Sequence, residues 1–225
     1  MTIPNAANGI KKLFIGEILA LFGALATGVS IFFAKPQVDN SGNITDFAAT
    51  TNVELGLVGG FLAVGGVIMI VAFILQLIGI VKASKDEEAF KGALYLILFS
   101  LAASIVGSVL VTMFPGMPKF AQNIPTVVVN LTEILTTFLV IGGIASLGAK
   151  VNSAELQEKA GKLLGIIVTV IVLKFVANCV ILLFKENIAD VIATILAILV
   201  VFFTLLQYIL YLSLLSKAKN TLAEK

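Results

Sequence analysis

Long apolar stretches, broken by short polar or proline-bearing segments, dominate the chain. Six stretches reach the roughly 20 largely apolar residues that a helix needs to cross a hydrocarbon core. They occupy about 13–34, 55–81, 92–114, 126–149, 163–184 and 191–216. The interruptions carry helix-breaking or charged residues: Lys35-Pro36, Pro115 to Pro118, Pro125, and Lys185-Glu186-Asn187. The pattern predicts an all-α fold, a polytopic integral membrane protein with six transmembrane helices in one domain over 1–225. The second and sixth stretches are long enough to tilt or protrude. The first reads as a retained span, not a cleaved signal. Glu17 interrupts its apolar run, which continues past the small residues Ala24-Leu25-Ala26 to Ala34.

Composition agrees with the pattern. Hydrophobic residues make up 59% of the chain and charged residues 12%, against about a quarter charged in soluble domains. A soluble chain of this kind would have nowhere to hide its apolar surface. The placement of charge then gives orientation. All 15 basic residues are lysines. Lys11, Lys12, Lys82, Lys85, Lys91, Lys150, Lys159, Lys162, Lys217, Lys219 and Lys225 fall on one side of a six-span topology, and Lys35, Lys119 and Lys185 on the other. The positive-inside rule places both termini in the cytoplasm of a cell membrane. An even number of spans requires both termini on one side, so count and charge agree.

The spans also pair off. Each odd span starts after a lysine (Lys12, Lys91, Lys162) and ends near a phenylalanine (Phe33, Phe114, Phe184). Each even span ends in small, polar and basic residues. Two readings fit: three repeated helical hairpins about an axis near the membrane normal, or the pattern that any short-looped positive-inside protein produces. The proline–acid–base signature of the mitochondrial carriers, which are also three-hairpin proteins, is absent.

Charged residues inside spans are functional candidates by default. Glu17 lies about one turn past Lys12 and is expected to reach the interface or pair there. Lys174 lies near the middle of the fifth span, and Glu133 in the fourth at a similar depth. Asn130, Glu133 and Thr137 share one helix face, as do Lys174 and Asn178. The two polar stripes are expected to meet across adjacent antiparallel helices, as a solute or ion site or as a buried ion pair that fixes packing. Gly56 and Gly60 form a GxxxG pattern, and Ser100, Ser104 and Ser108 line one face of the third span. Both are expected to let helices approach within the bundle. The Lys85-Asp86-Glu87-Glu88 run reads as a solvated helix cap.

No catalytic residue, metal site or cofactor is expected. The chain lacks Arg, His and Trp, and its single cysteine, Cys179, lies in an apolar run. There is no HExxH and no nucleophile with a base, so an enzyme is not expected. The expected partners are the lipid bilayer and either a homo-oligomer or a membrane partner protein, with no nucleic acid. Six-span size, a small-residue first span and a long first outer loop resemble the substrate-binding subunits of energy-coupling-factor vitamin transporters. That resemblance is architectural and implies a small-solute binding subunit. The functional expectation is therefore a small-solute transporter or its membrane subunit. The alternative is a non-catalytic membrane scaffold or partner-binding protein of the cell envelope.

Overall fold

The computed structural model describes the backbone of residues 3–33, 35–38, 44–48, 52–114, 118–183 and 186–223. Side-chain surroundings are described for 3–30, 55–114, 118, 123–176 and 194–223. Among the described residues the helices are α1 Pro4–Phe33, α2 Asn52–Ala83, α3 Glu88–Met113, α4 Lys119–Lys150, α5 Ala154–Leu183 and α6 Glu186–Ala223. Between α1 and α2, the strands β1 Lys35–Val38 and β2 Ile44–Ala48 form an antiparallel hairpin with a bulge at Gln37/Val38. Among the described residues the regular structure is thus helical but for this one hairpin, which lies in the segment expected to be the long first outer loop.

Among the described residues, five helices are long and apolar enough to cross a membrane, over Pro4–Ser30, Leu55–Ala83, Glu88–Met113, Asn123–Lys150 and Thr194–Ala223. The remaining expected span, 163–184, lies in α5 and runs past residue 176 into side chains outside the described residues.

Helix ends differ from the apolar boundaries for local reasons. Pro125, expected as a break, lies inside α4, whose N-cap is Pro118. Pro125 is the seventh residue of the helix, past the four N–H groups that lack an acceptor, so it removes the one bond its N–H would have made to the residue 121 carbonyl. α5 begins at Ala154, well before its apolar stretch. Its polar first turns hold Glu155–Lys159 (3.2 Å) and Glu158–Lys162 (2.6 Å) pairs at i,i+4, the spacing that supports a solvated helix. The turn from α4 to α5 uses Asn152 at φ 54°, a left-handed conformation that Asn tolerates well. Ser153 Oγ then accepts the Leu156 N–H at 3.4 Å, capping α5.

The chain divides into two compact units, one of Met1–Ile10 with Ile80–Lys225 and one of Lys11–Gly79. In the first unit α3 packs on α4, α4 on α5 and α5 on α6. The α3–α4 pair is antiparallel: Gly92 approaches Leu139, Gly107 approaches Pro125, and Gly143 lies against the Phe90 ring. Its buried core gathers at the lysine-rich helix ends. Ile3, Ala6, Ile10, Ile80, Ala83, Phe90, Ile144, Leu147, Leu156, Leu163, Leu214 and Leu215 are all at most 5% exposed. In the second unit α1 and α2 also run antiparallel, with Gly16 against Gln76, Gly23 against Met69 and Gly65 against Thr27. The expected Gly56–Gly60 pair takes no part in such contacts, since a Cβ on either would meet nothing within 4 Å. The serine face packs only in part: Ser100 is half-buried, Ser104 and Ser108 are exposed, and the buried residue beside them is Gly107.

Candidate functional site

The candidate residues on α4 and α5 lie in the first unit. α4 turns its Thr132 side inward: Thr132 is 5% exposed and donates to the Val128 and Val129 carbonyls at 3.0 and 2.8 Å. Glu133, one residue on, is exposed, as is Asn130. Thr137 is half-buried and donates to the Glu133 carbonyl oxygen at 2.9 Å, which ties it to its own helix rather than to a neighbour. Lys174 on α5 is exposed. Among the described residues the ion pairs join other groups, and none joins Glu133 to Lys174. The side chain of Asn178 lies outside the described residues. Glu17 belongs to the second unit, where it is half-buried on α1. So α4 and α5 are adjacent as expected, but their two charges are displayed rather than joined.

A second polar cluster stands at the lysine-rich end of the first unit, on residues expected only to cap a helix. Asp86, in the turn between α2 and α3, accepts the Ala6 N–H at 2.7 Å and the Asn5 amide at 3.1 Å. Its carboxylate thus satisfies an orphan donor in the first turn of α1 and faces the positive end of that helix. Glu87 accepts from Ser146 at 2.8 Å and pairs with Lys150 at 2.8 Å. Lys150 also donates to the Asp86 carbonyl at 2.8 Å. Partial burial works to raise the Glu87 carboxyl. Hydrogen bonds from Lys150 and Ser146 and the Lys150 charge outweigh it, holding the group below the ordinary carboxylate range. Glu155 is held low as well, by hydrogen bonds from Lys217 and Lys159; the Lys217 bridge, 2.7 Å, links α5 to α6. The sequence signal for this cluster was the Lys85-Asp86-Glu87-Glu88 run in a very short turn. Its adjacent acids serve different neighbours because successive side chains point in different directions.

Nothing in either cluster assembles a nucleophile with a base, and no group of three or more metal-ligating side chains occurs among the described residues. The acidic cluster is saturated by its own helices and reads as a structural tie. Among the described residues, Glu133 and Lys174 are charged groups within the first unit's apolar helix shafts that no ion pair holds. No protein-family model, curated protein or solved structure matches this chain.

Proposed function

We propose that the chain is a six-span membrane subunit of a small-solute transporter, with α5 as the remaining span and both ends in the cytoplasm. The observation that carries this reading is the exposure of Glu133 and Lys174 on adjacent helices, neither held by an ion pair among the described residues. On insertion scales such a charge costs roughly 2.5–3.5 kcal/mol at the centre of a span. A fold with no use for them would be expected to carry apolar residues there. Transport supplies a use: charges near the bilayer midplane are where membrane proteins bind or couple solutes and ions.

Mass spectrometry of the protein purified in mild detergent tests the reading. A small solute held near one per chain, and lost in both Glu133→Gln and Lys174→Met, is the expected result. A stoichiometric protein partner with no solute would instead establish the scaffold role.

A further inference from the structure

The seams that pack α4 and α5 run out onto the two charges. On α5 the buried residues Leu156, Ala160, Leu163, Ile167 and Val170 follow each other at steps of three and four. The next position in that rhythm is Lys174, which is exposed. On α4, Leu147, Ile144 and Val140 are buried, Thr137 is half-buried, and the next step reaches exposed Glu133. A helix face that continues an apolar seam at this spacing is built to be covered.

The heights also match. Glu133 lies 17 residues (150 − 133) before the end of α4, and Lys174 lies 20 residues (174 − 154) after the start of α5. At 1.5 Å per residue both stand about 25–30 Å from the turn that joins the helices. The result is one negative and one positive group at similar heights on adjacent helices, with no ion-pair partner for either among the described residues.

We infer that a second copy of this chain covers this surface. A two-fold axis parallel to the helices sets Glu133 of each copy against Lys174 of the other. Self-complementary pairing of this kind is what a two-fold interface requires, since each copy presents the same patch. Opposite charges at one height satisfy the requirement, whereas two like charges would oppose it. The inference rests on α5 crossing the membrane, as proposed above, and stands whether or not a solute passes the two residues.

Charge reversal with mixing tests it. Glu133→Lys gives a chain with two lysines at these sites, and Lys174→Glu a chain with two glutamates. In liposomes at high dilution, counted by single-molecule photobleaching, the parent is expected to be dimeric. Each reversal alone is expected to dissociate about tenfold or more readily, and co-expression to restore dimers with one copy of each. The neutral Glu133→Gln and Lys174→Met variants, checked for helicity, show the same loss without repulsion and guard against misfolding. A monomeric parent, reversals that dimerise like the parent, or mixing without rescue would each overturn the inference. Impermeant thiol labelling of Lys174→Cys in a Cys179→Ser background then separates the causes. A shielded thiol leaves α5 as a span and removes only the pairing; a thiol labelled as fast as one in a loop removes the span as well.

Discussion

Glu87 shows how much a single carboxylate can settle. Its side chain is 12% exposed, and it holds Lys150 and Ser146 at once. The folded protein keeps this group ionised more readily than the unfolded chain does, so its contribution is fully present above the ordinary value of 4.5 and is lost as pH falls through the lower folded value. Glu87→Gln is therefore expected to lower thermal stability at pH 7 by about 1 kcal/mol, a modest figure because the Lys150 end of the pair is 37% exposed. The gap between parent and variant should close on acidification below 4.5, as measured by melting curves from pH 7 to pH 3. A gap that stays constant over that range would mean that the charge on Glu87 contributes nothing. Glu155 and Glu158 are also held low by their lysines, so both proteins keep some acid sensitivity, and only the difference is informative.

At the scale of the element, adjacent glycines on α4 meet opposite surroundings. A Cβ on Gly143 would lie 2.7 Å from the edge of the Phe90 ring, which is fully buried, whereas one on Gly142 would meet nothing within 4 Å. Gly143→Ala is expected to destabilise by about 1–3 kcal/mol through overpacking. Gly142→Ala should be neutral or stabilising by about 0.5–1 kcal/mol, because alanine favours the helix. Equal melting temperatures for the two variants would show that α3 and α4 do not pack as described. Such contacts explain what the sequence could convey. Apolar length announced the helices, although each odd helix starts before the lysine that precedes its apolar stretch, α1 at Pro4, α3 at Glu88 and α5 at Ala154. Helix ends were less legible, because the i,i+4 pairs at 155–162 extend α5 beyond its apolar stretch and α4 absorbs Pro125. The packed faces were hardly legible at all. A helix apolar on every side gives no periodic signal, so Thr132 rather than Glu133 turning inward, or Gly65 rather than Gly56 meeting a neighbour, depends on the fit of the partner helix.

At the scale of the whole molecule, topology is the quantity to measure. The proposed six spans with cytoplasmic ends rest on eleven lysines against three. Single cysteines placed at 36–52, 116–122 and 185–190 in a Cys179→Ser background should all react with an impermeant thiol reagent on intact cells. Protection there, with reaction at 84–90, would invert the orientation. A split result, with 185–190 protected and the other two loops labelled, would point to five spans. The exposed site charges were legible as residues, because charge inside an apolar run is conspicuous. Their lack of an ion pair was not, because matched depth alone does not say how two helices are rotated.

The bond between Ala6 and Asp86 spans 80 residues of chain, and that gives it a place in time. At roughly 5–20 residues per second of synthesis, about 4–16 seconds separate the two partners. The first turn of α1 therefore leaves the ribosome, and α1 and α2 are both made, before the carboxylate that caps it exists. For that interval the amide of residue 6 must be served by water. When the α2–α3 turn emerges, with part or all of α3 already made behind it, it can close the start of α1. The contact thus acts as a latch on the order of assembly, and a chain halted short of residue 86 would carry an α1 that is complete in sequence but not yet fastened.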